Sequence, residues 1–294
     1  MAALRLRGVQ AVLRCRLPLC PRPHLPPRRC ASTADSAAEA AAFVGVTPGL
    51  TKEQQIAQKN SNVDTDGIWP LLPDDMRQSM GDASKVHFVS WLGHGVSPGK
   101  AAIVRLFTAE EADAIIDCMG TSEGRAGVMT AERTAALYLG RVNTARHLVA
   151  DERLAECIYQ RFRSCQGASV QGGEALPFLS QIKYGDQVVA VNEKIRLVTT
   201  EEGGEHQKHA DICEPSDDGL RVSRLTFQCY LNPEAYEGGN FQLYLKDGSM
   251  VDIPVEKGDA VVFVQEDEEL LHGGGRKGNG AAKRAIRGNL DVAL

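Results

Sequence analysis

Lys194-Ile195-Arg196-Leu197-Val198-Thr199-Thr200, followed by Gly203-Gly204 and then by His209-Ala210-Asp211, is the stretch on which the fold turns. The first part carries four β-branched side chains and neither Gly nor Pro. Asn192 and Gly203 punctuate its two ends, so the run predicts a strand. His209 and Asp211 stand two residues apart, and in an extended chain that spacing puts both side chains on one face. One imidazole and one carboxylate then reach toward a shared ion. Taken alone the pair also fits a surface turn, so the surrounding sequence has to decide.

Outward from this stretch, short β-branched and aromatic runs recur at Val188–Val191, Arg224–Leu231, Phe241–Leu245, Met250–Ile253, Ala260–Val264 and Lys283–Val292, with Gly, Asn, Asp and Pro between them. Strands this short, separated by turn signals, indicate a sandwich or barrel rather than a parallel sheet. A third metal ligand has to come from a distant strand. His272 stands 63 residues beyond His209, after the apolar pair Leu270-Leu271 and at the head of a Gly-rich turn. Two imidazoles and one carboxylate on one face of an ion leave three adjacent coordination positions open. That is what Fe(II) requires to take a bidentate 2-oxoacid together with dioxygen.

Upstream the pattern is helical. Thr108 and Glu111 form a capping box, and Ala112, Ile115, Ile116 and Met119 make an apolar stripe that ends before Gly120. A second helix starts near Asp151, with Leu154, Ile158 and Phe162 at a spacing of four. Thr51-Lys52-Glu53-Gln54 opens a short polar helix, and Trp69-Pro70 with Pro73 interrupts any regular structure beyond it. Residues 1–34 contain seven Arg and no acidic residue, and the uncharged run Gly8 to Leu13 is too short for a secretory core. They read as an organelle transit peptide, mitochondrial first and plastid second. Residues 35–100 then form a linker and a weakly defined N-terminal region, 101–176 a helical support, and 177–294 the strand-rich domain.

Composition excludes several classes. The chain of 294 residues carries a formal charge of -5, and setting the first 34 residues aside leaves 26 basic against 38 acidic side chains. A body this acidic argues against general nucleic-acid binding, where phosphate contacts dominate affinity. The eight Cys show no CxxC pair, so neither a zinc ribbon nor a disulfide framework is indicated. No apolar run reaches the roughly 18 residues of a membrane helix. Neither a phosphate-cradling Gly-x-x-x-x-Gly-Lys-Ser/Thr nor a Gly-x-Ser-x-Gly elbow occurs.

Six segments agree in order and spacing with a known family: Asn192 to Leu197 leading through Gly203 to His209-Ala210-Asp211; Ser223 to Thr226; Tyr230-Leu231-Asn232; Glu237-Gly238-Gly239; Pro254 with Lys257 to Phe263; and Leu271-His272. Over 177–294 they resemble the Fe(II)/2-oxoglutarate-dependent dioxygenase superfamily, in particular its prolyl 4-hydroxylase alpha-subunit-like branch. The resemblance implies an α+β protein whose core is a double-stranded β-helix (jelly-roll) with N-terminal supporting helices. It further implies a metal triad of His209, Asp211 and His272, with Fe(II), 2-oxoglutarate, dioxygen and ascorbate as cofactors. The expected activity is hydroxylation of a peptidyl-prolyl or similar side chain with release of succinate and CO2. The alternatives are a small-molecule hydroxylase or nucleic-acid demethylase of the same superfamily, or an inactive jelly-roll binding module.

The same resemblance places a cation for the distal carboxylate of 2-oxoglutarate on the last core strand. Lys283 aligns best and Arg287, four residues on, shares its strand face, while Arg284 points the other way. A solvated edge-strand charge is the plain alternative for either. Relatives usually carry a Tyr within the strand that here reads Arg196 to Thr200, so Thr199 or Thr200 would supply the hydroxyl, with Tyr230 as a further candidate contact. His206 lies three residues before His209, a spacing that expects the opposite strand face and a substrate-side or surface position. Substrate loops are expected around Glu214 to Leu220.

Overall fold

The computed structural model describes residues 63–121, 125–137, 140, 142–169 and 175–294. The expected transit peptide, the linker after it and the capping box at Thr51 lie outside the described residues. The first half contains α1 (Asp74–Met80), β1 (His87–Trp91), β2 (Ala101–Arg105), α2 (Ala109–Gly120), β3 (Val128–Met129), α3 (Ala131–Leu137), β4 (Ala145–Ala150) and α4 (Glu152–Ser164). After β5 (Gln166–Ser169), β6 (Ala175–Pro177) and α5 (Phe178–Gln181) come β7 (Val188–Val191), β8 (Lys194–Thr200), β9 (His206–His209), β10 (Arg221–Tyr230) and β11 (Tyr236–Gly238). The chain ends with β12 (Phe241–Tyr244), β13 (Met250–Ile253), β14 (Asp259–Val264), β15 (His272–Gly274), β16 (Lys277–Gly280) and β17 (Lys283–Ala293).

The larger sheet runs β1-β2-β14-β10-β17-β8-β4-β3, with β7 also paired to β17, and the smaller runs β13-β12-β15-β9. Phe241 of β12 meets Phe263 of β14 with ring centroids 5.4 Å apart, so the two sheets stack face to face. This is a jelly-roll core with helices behind it, the α+β class. The opposite face of the larger sheet packs on α4, where Phe227 meets Phe162 at 5.7 Å. β10 therefore serves two interiors, and six of its ten residues are buried.

The helices are set as their sequences dictate. Both halves of the Thr108–Glu111 capping box are present, and Ala112, Ile115 and Met119 are buried. Asp151 caps α4 by accepting from Leu154 N at 2.9 Å. Its other oxygen accepts from the amides of Ile68 and Trp69 at 2.7 and 2.8 Å, which ties the preceding segment to the helix. Arg161 of α4 is fully buried. It donates to both Glu111 oxygens at 2.8 and 2.7 Å and to the carbonyls of Met80 and Leu106 at 2.7 and 2.6 Å. A buried guanidinium is tolerable only when paired this completely. Burial works to raise the Glu111 carboxyl, but Arg161, Ser79 and the Thr108 amide bring it below its ordinary value.

Two expectations require correction. The region expected to be helical support over 101–176 also supplies strands: β2 lies between β1 and β14, and β4 beside β8. Ala101, Ala102, Ile103 and Val104 are all buried, so no polar-apolar alternation marks them as a strand. The Gly-rich turn expected after His272 contains β15 and β16. Glycine is required there, since a Cβ on Gly273 would lie 2.7 Å from the His206 carbonyl oxygen.

Candidate metal centre

His209 ends β9 and His272 starts β15, and the two are direct partners in the ladder between these strands. Asp211 lies just past β9, so both imidazoles and the carboxylate come to one end of the smaller sheet. One ligand atom of each of the three lies within 4.8 Å of the others. Asp211 Oδ1 stands 3.3 Å from His209 Nε2 and 3.9 Å from His272 Nε2. Neighbouring donors each about 2.1 Å from one ion are roughly 3 Å apart, so this spacing fits a divalent transition metal.

Hydrogen bonds set the tautomers. His209 Nδ1 donates to the Gln207 carbonyl at 2.8 Å and His272 Nδ1 to the Leu270 carbonyl at 2.9 Å, because a carbonyl oxygen can only accept. In the neutral imidazole that leaves Nε2 of each ring as the lone pair available at the centre. Asp211 Oδ2 is held from behind by Thr226 Oγ1, which donates at 2.7 Å, and by the Arg287 guanidinium. Oδ1 remains to face the histidines. Burial alone would raise the Asp211 carboxyl, but Arg287, His209 and His272 carry it well below the usual carboxylate range. Burial, and then the neighbouring His209, push His272 down to about 3. An ionised carboxylate beside a neutral imidazole is the protonation state that metal binding demands.

Lys283 closes another part of the same space. It is 5% exposed, lies 4.8 Å over the Tyr230 ring and donates to the Gly239 carbonyl. Burial brings it down to about 8. Thr200, directly opposite Lys283 in the ladder between β8 and β17, lines the same pocket. His206, His209, His272 and Arg287 line it as well.

The structure gives the remaining candidates other places. Arg287, an expected cosubstrate cation, pairs with the candidate ligand Asp211 and also lines the pocket. Tyr230 is fully buried under Lys283, and its hydroxyl accepts from Gln228 at 2.8 Å, so it is a platform for the lysine. Arg284 points away and donates to Thr199 Oγ1, which removes Thr199 from the pocket face. Glu214, in the expected substrate loop, pairs with Arg196 at 3.2 Å. His206 is on the same side as His209, contrary to simple alternation: their rings stack at 4.0 Å and 22°. The irregular pairing of β9 with β15, where the four residues His206–His209 face the three residues His272–Gly274, is the cause.

Sequence reasoning assigned no role to Thr226 or Arg146. Thr226 carried a signal, since it belongs to a strand next to the one bearing Arg287. Arg146 lines the pocket from β4, a strand that the sequence pattern did not reveal.

One comparison with known proteins, that with family models, agrees with this chemistry. Residues 195–291 match the model of the 2OG-Fe(II) oxygenase superfamily. Similar solved structures include a viral collagen prolyl hydroxylase of Paramecium bursaria Chlorella virus-1 in complex with 2-oxoglutarate, at 14% identity and a TM-score of 0.43, covering 66% of this chain and 97% of that one. A prolyl-4-hydroxylase of Pseudomonas putida is 15% identical with a TM-score of 0.41, covering 74% of this chain and 100% of that one. A prolyl hydroxylase of Trichoplax adhaerens, bound to a fragment of hypoxia inducible factor, is 14% identical with a TM-score of 0.42, covering 76% and 93%. A search of curated proteins returned no match. The matched span, residues 195–291, contains His209, Asp211 and His272, so the similarity to the 2OG-Fe(II) oxygenase superfamily and the triad fall on the same part of the chain.

Proposed function

We propose that this protein hydroxylates a peptidyl-prolyl or similar side chain, using Fe(II), 2-oxoglutarate and dioxygen, with ascorbate as reductant. The observation that carries the reading is the convergence of His209, Asp211 and His272 beside a pocket that both histidines line together with the buried cation Lys283. When bound, the iron and its cosubstrate supply the oxidising power that puts one dioxygen atom into a C–H bond and the other into succinate, with loss of CO2.

The residues have separate tasks. His209 and His272 present neutral Nε2 atoms, and Asp211 presents Oδ1 while Thr226 and Arg287 hold Oδ2. Lys283 receives the distal carboxylate of 2-oxoglutarate, with Thr200 beside it as a hydroxyl donor, since a carboxylate leaving water needs a charged partner. The Phe241 and Phe263 rings close the side of the site behind His272 and exclude water there. The prolyl specificity comes from the resemblance of the triad segments to the prolyl 4-hydroxylase-like branch. A polar small molecule is the second reading, favoured by Arg146, Arg196 and Glu205 in the pocket wall.

The test is succinate release, together with a one-oxygen mass gain, on peptide and metabolite libraries given to the iron-loaded protein. Prolyl peptides should gain the oxygen, and Asp211→Ala should abolish both signals. Oxidation confined to metabolites would select the second reading. No succinate in either the presence or the absence of iron would leave an inactive binding module.

A further inference from the structure

The two metal-ligand histidines have unequal surroundings. His272 is 5% exposed. Phe241 lies parallel to it, with centroids 5.1 Å apart and 9° between the planes, and Phe263 meets it edge-on at 4.5 Å. His209 lies nearer the pocket mouth, and its side chain is 13% exposed. Its Nδ1 is anchored on the carbonyl of Gln207, two residues away on its own strand, and Asp211 Oδ1 lies 3.3 Å from its Nε2. A flexible local bond of this kind leaves the ring plane free to swing about it. What limits the swing is a pair of rings: His272 on one side at 4.3 Å and 53°, and His206 on the other at 4.0 Å and 22°.

His206 is not one of the three groups whose ligand atoms converge, yet the backbone is built to bring it there. The register between β9 and β15 shifts between the pairs His272–His209 and Gly274–His206. Val142 bridges His206 from the other side. Gly273 and Gly274 make room for it, since added Cβ atoms would lie 2.7 Å from the His206 carbonyl oxygen and 3.4 Å from its Cβ. His206 thus stands to His209 as Phe241 stands to His272: a parallel ring that fixes the plane of a ligand.

We infer that His206 is a positioning residue of the metal centre, one that stacks on His209 and holds its Nε2 toward the ion without coordinating it. The inference rests on the metal-site reading of His209, Asp211 and His272, and it concerns the face of the His206 ring rather than its nitrogens. A phenyl ring should therefore do the same work, whereas a methyl group should not.

The experiment measures Co(II) affinity, and the intensity of the visible Co(II) absorption bands, for the full-length metal-free protein and its variants, with apo-protein melting as the check on folding. His206→Ala should weaken Co(II) binding about fivefold, in line with the usual strength of a ring pair, and should alter the bands. His206→Phe should restore both to within about twofold. Equal loss in His206→Phe and His206→Ala would mean that the imidazole nitrogens are needed, and would overturn the inference. Unchanged Co(II) affinity in His206→Ala would overturn it too. Should His206→Ala melt early, His206→Phe alone decides, because it retains the ring and removes the nitrogens. His209→Ala tests the underlying reading separately: if it leaves Co(II) binding intact, the triad is not the metal site.

Discussion

Along β10, Leu225, Phe227 and Cys229 alternate with Thr226, Gln228 and Tyr230: Phe227 meets the helix residue Phe162, whereas Thr226 bonds Asp211, Gln228 lines the pocket and Tyr230 lies under Lys283. All but Gln228 are fully buried, so enclosure does not distinguish the two sets. Partners do. On the helix side Phe227 finds Phe162, and the buried charges nearby, Arg161 and Glu111, saturate one another and the adjacent carbonyls. On the pocket side Lys283 has a carbonyl and a ring but no carboxylate within salt-bridge distance among the described residues. One face is finished by folding, and the other keeps binding capacity in hand.

The comparison can be broken most directly through Arg161. Arg161→Ala leaves Glu111 buried without its cation and should cost about 3–5 kcal/mol of stability, read by denaturant unfolding. Metal affinity of the folded fraction should stay unchanged. A concurrent fall in metal affinity would show that the two faces are not separable.

Lys283→Met tests the other face. Because the removed cation lacks a carboxylate partner, the metal-free protein should be no less stable, while the KM for 2-oxoglutarate should rise about tenfold or more. A pH profile sharpens this point. Burial holds Lys283 at about 8, against about 10.4 in the unfolded chain. Between those values the unfolded state binds more protons, so Lys283 makes apo stability rise as pH increases through that window. Over the same range 2-oxoglutarate affinity should fall as the ammonium loses its proton. Lys283→Met should remove both trends; a rise in stability that persists in the variant would assign it to another group.

The smallest effect belongs to Thr226. Thr226→Val removes one of the two groups on Asp211 Oδ2 and should weaken metal binding by about 1 kcal/mol, or roughly fivefold, with little change in KM for 2-oxoglutarate. An unchanged metal Kd would mean that Arg287 alone fixes the carboxylate.

Much of this was legible in the chain. Lys194–Thr200 and Met250–Ile253 fold as strands over the residues that their β-branched composition marks, and the spacing of His209 and Asp211 brought them together. Features that depend on a partner strand were beyond the reach of local pattern. His206 shares a side with His209 only because β15 pairs irregularly with β9. Lys283 and Arg287 share a face by the rule of two, yet which one meets a carboxylate is set by where the smaller sheet delivers Asp211. β2 was hidden because burial on both faces erases alternation, and β15 because its glycines have low strand propensity while being the residues that close approach requires.

The pairing of Arg287 with Asp211 also bears on the order of assembly. A carboxylate already neutralised by a guanidinium from another strand imposes no repulsion that an ion must relieve before the sheets can close. Folding of this architecture should therefore need no ion as a template: the metal-free polypeptide is expected to mature first, and a chelator should leave its melting transition in place.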